Sequence, residues 1–505
     1  MNFINFMNFK NILVFSLLFL FVIFGFYFRF YGIKGNHSFW ADEAYISSLA
    51  RDLVLSKKSF SEVLQLINYQ TLNIIIVYIS FVILGISEFS ARFPYIFFGT
   101  VGIVFSFLLA EKLANRAAGI LAAFLHAFSQ INLANSTQSK PYTLIQTLFL
   151  IELYLITLIR SKKDNKKIHL GIIIAASMST FAHIIGIFCW IPYLFFIVKE
   201  YPNLISNIFK KKSYIFMSVG VLMIVGIMFQ FHYIIVNTIS LTVFRLKNFF
   251  TNNNLTFLRE VLWKNNGFIF LPAIFGSLLM RRNAKNLTNG ILIYALFLLF
   301  FWTFLYTAHN LRYILQFFGL IFVYFGVFWG IVGSKLFNGK ELSICLFIIL
   351  LMYIGGNKIV RKPQLYYSPN QDLYGDVQIA DYKTVFAILK QKFPNYQTIA
   401  VFNNFIDAHR WYLPEKNPDA CFMKVDKPFI HPADNVPYYS KLEEFLKEKN
   451  KYPEGVMIVE DWESLLPEDI KQYVKKNLKL EFRVDGLFQA ADDKWPIEVY
   501  SWKKL

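Results

Sequence analysis

The sequence feature that most constrains the fold is a series of apolar blocks, most of them long enough to cross a bilayer. A helix needs about 20 apolar residues to span the hydrocarbon core. In a chain of 505 residues, 56% are hydrophobic, which is typical of membrane proteins. We therefore predict a polytopic α-helical membrane protein with about 11 transmembrane helices. The candidate spans lie near residues 11–31, 92–110, 117–133, 142–160, 168–182, 184–199, 214–236, 265–280, 288–306, 312–333 and 342–356.

The basic residues predict how these spans are oriented. The formal net charge is +18, but the Lys and Arg side chains lie in short clusters between the apolar blocks. Such clusters encode membrane topology, so we predict no nucleic-acid partner. One further apolar block, 72–86, is short, and the basic clusters all fall on the cytoplasmic side only if it lies along the membrane surface. This choice predicts a protein of the cytoplasmic membrane, with a cytoplasmic N-terminus and an extracytoplasmic tail.

The topology divides the chain into two predicted domains. Residues 1–356 form a transmembrane domain, whose first external loop, 32–91, carries helices that lie next to the membrane. Segment 168–199 must make two short passes that turn near His183. Residues 357–505 form a small soluble α/β domain, since they alternate predicted helices and strands. These predicted elements are 385–392, 398–402, 442–449 and 455–460.

An acidic pair in the first external loop is the candidate catalytic site. Asp42 and Glu43 begin a segment in which Tyr45, Leu49 and Leu53 recur every four residues, a pattern that predicts an amphipathic surface helix. In the first turn, the helix dipole favours an ionised carboxylate, which suits a general base. Asp42 could instead serve only as an N-terminal cap. The pair could also bind a divalent cation with help from elsewhere, and no other cofactor is indicated.

Three cations are predicted at the same external membrane face. Arg92 opens the second candidate span, Lys140 ends the loop that follows the third, and Arg312 opens a late span. Any one of them could be an ordinary anchor whose charge reaches the membrane surface. Together they suit the binding of a lipid phosphate, which Arg can hold through two hydrogen bonds. His183 could contact a substrate, although a single His at a helix break is more often structural.

Several motifs, in order along the chain, resemble those of the membrane-embedded GT-C glycosyltransferases, in the branch of protein O-mannosyltransferases and lipid A aminoarabinose transferase. Residues 40–45 (Trp-Ala-Asp-Glu-Ala-Tyr) resemble the acidic first-loop motif, and 88–94 (Glu-Phe-Ser-Ala-Arg-Phe-Pro) resemble the entry to the second span. Residues 137–142 (Thr-Gln-Ser-Lys-Pro-Tyr) resemble a loop that often reads Gln-Glu-Ala-Arg-Pro-Tyr. The Arg-Tyr pair at 312–313 resembles the opening of a late span.

The sequence departs from this family at two places. Gln138 and Ser139 stand where the family often has an acidic residue. Residues 70–73 (Gln-Thr-Leu-Asn) stand where it often has a Pro-Pro pair. The first departure leaves the presence of a further carboxylate open, and the second indicates an altered substrate entrance or a diverged activity.

The resemblance implies a GT-C-like fold and a transfer reaction. A polyprenyl-phosphate monosaccharide would donate its sugar to the hydroxyl of a lipid, glycan or protein acceptor, with membrane lipids around it. Asp42, with Glu43 beside it, would act as the base, and Arg92, Lys140 and Arg312 would hold the donor phosphate. A single displacement predicts inversion at the anomeric carbon. The residues expected to contact substrate are Tyr45, Gln138, Tyr142, His183, His309 and Tyr313.

Other functions remain compatible with the sequence. A flippase for lipid-linked sugars would explain the spans and the cations, although the internal symmetry and broken mid-membrane helices of many transporters are not evident. A non-catalytic scaffold would use the tail to bind partners. A polymerase or ligase that uses diphosphate-linked glycans would differ in its donor.

Overall fold

A computed structural model describes residues 9–35, 37–66, 70–161, 166–200, 255–280, 285–305, 310–337, 340–356, 358–368, 379–405, 407–431, 435–460, 465–487 and 496–504. The chain divides into two compact units. The helical unit comprises Met1–Gly32, Ile67–Asn73 and Arg92–Gly375. The sheet unit comprises Ile33–Leu66, Ile74–Ala91 and Asp376–Leu505, so it combines most of the first loop with the tail.

Helices account for most of the described residues up to Gly355. In chain order they are α1 (Phe9–Lys34), α2 (Ala41–Val54), α3 (Phe60–Leu66), α4 (Thr71–Leu84), α5 (Glu88–Leu113), α6 (Arg116–Phe128), α7 (Gln130–Ser136), α8 (Tyr142–Ser161), α9 (Lys166–Ala182), α10 (Trp190–Glu200), α11 (Gly267–Met280), α12 (Lys285–Phe300), α13 (Leu315–Leu336) and α14 (Glu341–Gly355). Short helical segments precede α10, α11 and α13 and follow α12, at Ile184–Cys189, Leu255–Asn265, Leu311–Ile314 and Phe301–Leu305. The tail adds α15 (Tyr382–Lys392), α16 (Ala408–Tyr412), α17 (Leu442–Lys451) and α18 (Glu468–Asn477).

Five helices in the described part of the chain are long and apolar enough to cross a membrane. They lie at Asn11–Lys34, Glu88–Leu113, Tyr142–Ile159, Lys285–Phe304 and Leu311–Leu336. Shorter apolar helices are Thr71–Leu84, Arg116–Phe128, Gly267–Met280 and Glu341–Gly355. The protein is therefore built as an integral membrane protein, whereas the count of about 11 spans stays a prediction. The candidate span at 214–236 lies outside the described residues.

The predicted turn near His183 is present. Helix α9 ends at Ala182, His183 adopts an extended conformation, and the chain returns through Ile184–Cys189 into α10. The two arms are joined where Trp190 Nε1 donates to Thr180 Oγ1 at 3.2 Å and where His169 Nδ1 lies 2.9 Å from the Tyr193 hydroxyl. The side chain of His183 accepts a hydrogen bond from the Ile185 N–H at 3.2 Å, so it caps the returning segment.

The segment predicted as a span at 117–133 is not one continuous helix, because the helix breaks at Ser129. Helix α6 ends at Phe128 and α7 begins at Gln130, while Ser129 forms an antiparallel β-bridge with Ile359. Backbone bonds from the Gln130 N–H to the Lys358 carbonyl (3.0 Å) and from the Val360 N–H to the Phe128 carbonyl (2.8 Å) flank this bridge. A break in an apolar region is tolerated only when other groups satisfy the exposed backbone, and the segment after α14 does so here.

Helix α13 packs closely against two neighbours through glycine. A Cβ atom at Gly326 would collide with the carbonyl oxygen of Ala118 in α6, and one at Gly276 of α11 would collide with that of Tyr324. Small residues at such crossings let helix backbones approach and gain van der Waals contact. Most of α13 is buried, which is how a helix that is apolar all round is expected to lie in such a unit.

The sheet unit contains a seven-stranded mixed sheet in the order β3-β4-β2-β1-β5-β7-β6. The strands are β1 (Ala400–Asn403), β2 (Ala420–Phe422), β3 (Phe429–Ile430), β4 (Pro437–Tyr439), β5 (Glu454–Glu460), β6 (Lys479–Val484) and β7 (Ile497–Lys503). Strands β4, β2, β1 and β5 run parallel, and β3, β7 and β6 pair antiparallel with their neighbours. The chain moves outward from β1 to β2 and β4 and then crosses to β5 on the other side of β1. The gap between β1 and β5 is thus the topological switch point.

Alternate residues of the central strands pack on opposite faces of the sheet, as the period of a strand requires. On one face, Val401 and Val456 pack with Val385 and Leu389 of α15. On the other, the buried cluster is shared with α17 and α18, and includes Phe402, Met457, Phe445, Ile470 and Val474. Helices therefore cover both faces of the parallel strands.

The α/β composition predicted for the tail is confirmed, since the described residues there form a small sheet with helices. All four elements predicted there are present, at α15, β1, α17 and β5. The structure adds elements that the sequence analysis missed, namely α16, α18, β2, β3, β4, β6 and β7. In the first loop, α2 is confirmed, and α4 has 14 residues, which corresponds to about 21 Å. The predicted position of α4 along the membrane surface stays a prediction, because other short apolar helices of similar length lie in predicted spans.

Candidate functional site

The acidic pair lies in the first turn of α2, where its two members have different environments. Trp40 is extended and precedes the helix. The Glu43 carboxylate is fully buried, and its Oε2 accepts a hydrogen bond from the Trp40 backbone N–H at 3.2 Å. Glu43 therefore performs the capping that we had considered for Asp42. The Asp42 side chain is exposed, so it is the member of the pair that faces outward.

Tyr45, a predicted substrate-binding residue that follows the acidic pair, contacts other residues of the sheet unit. The guanidinium of Arg410 stacks over the Tyr45 ring at 5.0 Å. The Tyr45 hydroxyl donates to the carbonyl of Leu66 at 3.4 Å, which ties α2 to the end of α3. Tyr45 therefore joins α2 to the tail and to α3.

Four predicted site residues from three separate segments form one cluster in the helical unit. The Arg312 guanidinium lies 5.6 Å from the ring centre of Tyr142 and 5.1 Å from that of Tyr313. The two tyrosine rings meet edge to face at 5.4 Å, and His183 lies 5.4 Å from Tyr142. Arg312 Nη2 also donates to the Tyr313 hydroxyl at 3.1 Å. We call Tyr142, His183, Arg312 and Tyr313 the Arg312 cluster.

Local structure fixes each member of the Arg312 cluster. Arg312 lies in the short helical segment Leu311–Ile314, which Asn310 caps by accepting the Arg312 N–H at 3.1 Å. Tyr142 begins α8 directly after Pro141, and His183 lies at the break between α9 and α10. Cation–π contacts hold the guanidinium against the two tyrosines, and the planar shape of a guanidinium matches that of a phosphate or carboxylate edge.

The loop before α8 brings two further predicted residues next to Tyr142 in sequence. Lys140 and Gln138 are 7% and 2% exposed, and the Lys140 N–H donates to the Gln138 carbonyl at 2.8 Å in a tight turn. The Gln138 side-chain nitrogen makes no hydrogen bond to any described residue. A buried amide without a partner costs stability, which is a feature of positions that bind ligands.

Arg92, the third predicted cation, is fully buried near the beginning of α5. Two residues later Pro94 lacks an N–H, which leaves the Ser90 carbonyl without its helical partner. The Ser80 hydroxyl donates to that carbonyl at 2.5 Å. In the segment that departs from the family pattern, the Asn73 side chain accepts a hydrogen bond from the Tyr95 hydroxyl. Asn73, which lies in this segment, therefore has a structural role, because it binds Tyr95 of α5.

The remaining predictions are located as follows. Asp42, Glu43 and Tyr45 belong to the sheet unit, and Arg92, Gln138, Lys140 and the Arg312 cluster belong to the helical unit. His309 lies outside the described residues. Within the described ranges, no group of three or more His, Cys, Asp or Glu side chains could hold a metal ion.

Two arginines that were not predicted as functional from the sequence bind the backbone. Arg29, fully buried in α1, donates to the carbonyls of His126 (3.0 Å) and Ala127 (3.2 Å) at the end of α6. Arg51, on α2, donates to carbonyls of the tail helix α16. A cation inside an apolar block is a signal of a specific partner, and it could have drawn attention to Arg29.

Comparison with solved structures identifies the fold. The apo ArnT of Cupriavidus metallidurans matches with a TM-score of 0.60 and 11% identity, over 96% of this chain and 98% of that one. Its complex with undecaprenyl phosphate matches with a TM-score of 0.57 and 12% identity, over the same shares of 96% and 98%. The Archaeoglobus fulgidus oligosaccharyltransferase AglB, in complex with an inhibitory peptide and a dolichol-phosphate, matches with a TM-score of 0.55 and 14% identity, over 96% and 75%.

Sequence comparison gives no such match. No protein-family model matches the chain, and no curated protein is significantly similar to it in sequence. Both structural neighbours are GT-C glycosyltransferases. The resemblance inferred from the motifs is thus confirmed at the level of architecture: this chain has the fold of the membrane-embedded GT-C glycosyltransferases.

Proposed function

We propose that this protein is a glycosyltransferase that moves a monosaccharide from a polyprenyl-phosphate donor to an acceptor hydroxyl outside the cytoplasm. The observation that carries the proposal is the Arg312 cluster within a GT-C fold. Arg312 stacks on two tyrosines, one of which contacts His183, and the loop before α8 carries a buried Lys140. Together these residues offer charge for a phosphate and rings for a sugar. Aromatic faces are apolar surfaces on which other rings and C–H groups pack.

The proposed role of the cations is to hold the donor phosphate and to stabilise its charge as it leaves. Arg312 can present two N–H groups to phosphate oxygens, while Lys140 and Arg92 supply further positive charge. Two of the structural neighbours were determined with undecaprenyl phosphate and with dolichol-phosphate, which supports a lipid phosphate as the ligand class. Removal of one such charge-stabilising donor typically lowers kcat by about 10²- to 10³-fold.

The proposed base is Asp42. Its carboxylate is exposed in the first turn of α2, whereas Glu43 is buried and used as a cap. The helix dipole favours the ionised form that a base needs. Glu43 would then contribute indirectly. Its hydrogen bond with the Trp40 N–H would fix the first turn of α2, which carries Asp42.

The proposed reaction is one displacement. The acceptor oxygen attacks the anomeric carbon while the bond from that carbon to the phosphate oxygen breaks. The bonding electrons leave with the polyprenyl phosphate, and the proton of the acceptor hydroxyl passes to Asp42. Attack opposite the leaving group inverts the configuration at the anomeric carbon.

The test is transfer by the purified protein in lipid, with radiolabelled donor and native membrane extract as acceptor. Asp42→Asn is expected to lower kcat by about 10²- to 10⁴-fold, because the general base is lost. Glu62→Gln is the matched control, since it removes an exposed carboxylate from the same loop. Wild-type rates in Asp42→Asn, with normal expression, would exclude Asp42 as the base.

A further inference from the structure

The carboxyl edge of the parallel strands is where open α/β sheets usually bind ligands, at the switch point between strands such as β1 and β5. In this chain that edge is built from the ends of several elements. Asn404, after β1, exchanges two hydrogen bonds with the backbone of Glu460 at the end of β5, at 2.6 and 2.7 Å. The Tyr382 hydroxyl, at the beginning of α15, donates to Glu460 Oε2 at 2.7 Å. Helix α16 follows β1 at the same edge.

The first loop of the same chain occupies this edge. The Ser38 hydroxyl donates to Asp381 Oδ1 at 3.0 Å and accepts the backbone N–H of Lys383, also at 3.0 Å. The backbone N–H of Phe39 donates to the hydroxyl of Tyr412 at 2.7 Å. Phe39 precedes Asp42 by only three residues, so the backbone just before the acidic pair is hydrogen-bonded to the tail.

A second set of contacts holds the other end of α2. The Arg51 guanidinium donates to the carbonyls of Arg410 (3.0 Å) and Trp411 (3.3 Å) in the last turn of α16. Carbonyls in the last turn of a helix lack helical partners, and a cation at that end interacts favourably with the helix dipole. Asp52 Oδ1, 3.1 Å from Arg51 Nη2, neutralises the guanidinium.

Trp411 joins these contacts through its ring. The Phe39 ring meets it edge to face at 5.0 Å, the Arg51 guanidinium lies over it at 5.4 Å, and the Phe81 ring of α4 stacks on it at 5.9 Å. Such aromatic and cation–π contacts add to hydrogen bonds in fixing geometry. Helix α16 therefore contacts α2, the residues before α2, and α4.

We propose that α16 positions the acidic pair for catalysis, with Arg51 and Tyr412 as positioning residues. The contacts at Phe39 and Arg51 lie on either side of Asp42 in sequence and hold both ends of one rigid helix against the tail. The direction in which the Asp42 carboxylate projects is then set by the tail. This inference rests on the proposed function, because it takes Asp42 as the base.

The first test measures the contact itself, without reference to activity. Hydrogen exchange of residues 37–54 is compared in full-length protein in lipid nanodiscs, for the wild type, Arg51→Gln and Tyr412→Phe. Both variants are expected to exchange faster in this segment. Tyr412→Phe removes a single oxygen and keeps the ring, so it covers the case in which Arg51→Gln misfolds. The control is Arg483→Gln, which removes an exposed arginine from β6. Unchanged exchange at residues 37–54 in both variants would overturn the proposal.

The second test separates positioning from general stability. With donor saturating, Arg51→Gln and Tyr412→Phe are expected to lower kcat by about 10-fold or more, since small misplacements of a catalytic group are costly. The KM for donor should stay within about twofold of the wild-type value, and Arg51→Lys should recover part of kcat. Faster exchange with an unchanged kcat would also overturn the proposal. An inactive wild type would refute the proposed function, while the exchange data would still decide whether α16 holds the loop.

Discussion

At the scale of single residues, Asp42 and Glu43 show how two adjacent carboxylates acquire different roles. Successive side chains on a helix project about 100° apart, so one can turn inward while its neighbour faces outward. Glu43 turns inward to the Trp40 N–H, and Asp42 remains exposed. Burial and capping give Glu43 a structural role, whereas the exposure of Asp42 is what the proposed role as base rests on.

Arg312 allows a residue-scale prediction that separates charge from geometry. Arg312→Gln removes the cation and is expected to lower kcat by about 10²-fold or more and to raise the KM for donor. Arg312→Lys keeps the charge but loses the planar guanidinium that stacks on Tyr142 and Tyr313, so it should fall between Arg312→Gln and the wild type. Steady-state transfer at varied donor concentration measures both constants.

The matched control for Arg312 is Arg259→Gln. Arg259 is 73% exposed and forms an ion pair with Glu260, whose side chain is 30% exposed, so its removal should leave transfer unchanged. Equal losses in Arg259→Gln and Arg312→Gln would indicate a general effect of charge and not a phosphate site at the Arg312 cluster.

The residues of the Arg312 cluster could be chosen from the sequence, because each stands in or beside a short motif or a helix break. Their mutual contact could not, since Tyr142, His183 and Arg312 come from three distant segments. Arg29 and Arg51 escaped prediction for a related reason. Both donate to backbone carbonyls of a segment far away in the chain. Every residue has such a carbonyl, so the sequence does not show which one accepts the hydrogen bond.

At the scale of elements, the break at Ser129 illustrates what periodicity alone misses. Residues 117–133 are apolar enough to read as one span, and nothing local predicts a break. The break is specified by Ile359, which pairs with Ser129, and by Arg29, which binds the carbonyls at the end of α6. In the tail, α15, α17, β1 and β5 were predictable because their apolar pattern is continuous, whereas the short strands β2, β3 and β4 have too few residues to show one.

The packing of α13 gives an element-scale prediction. Gly326→Ala places a methyl group against the Ala118 carbonyl, so α6 and α13 must move apart. Overpacking of this kind is expected to reduce the free energy of unfolding by about 1–3 kcal/mol. Thermal unfolding of the purified protein in nanodiscs measures the change as a lower midpoint.

Gly267→Ala is the control for this substitution, because no atom of the described residues lies within 4 Å of a Cβ atom built at Gly267. Ala is also a better helix former than Gly, so the control should be neutral or slightly stabilising. A midpoint for Gly326→Ala equal to that of the control would show that the α6–α13 crossing is looser than described.

At the scale of the whole molecule, the chain keeps a GT-C architecture with 11–14% identity to its structural neighbours. Such a fold can persist because lipid-facing positions require only apolar side chains, while specific residues are needed at crossings, breaks and sites. The motifs that resemble the family lie at such positions, at the beginnings of α2, α5 and α8 and before α13. This explains why ordered short motifs predicted the architecture although no family model matches the sequence.

Sugar transfer is tested most simply by following a labelled donor in proteoliposomes that contain the purified protein. A panel of radiolabelled polyprenyl-phosphate sugars is supplied with native membrane extract as acceptor, and both the released polyprenyl phosphate and the glycosylated product are quantified. We expect one donor to be consumed, with product formed in equal amount and with inverted anomeric configuration. A donor that crosses the bilayer chemically unchanged, or no consumption of any donor by folded protein beside an active control enzyme, would contradict the account in favour of a flippase or a scaffold.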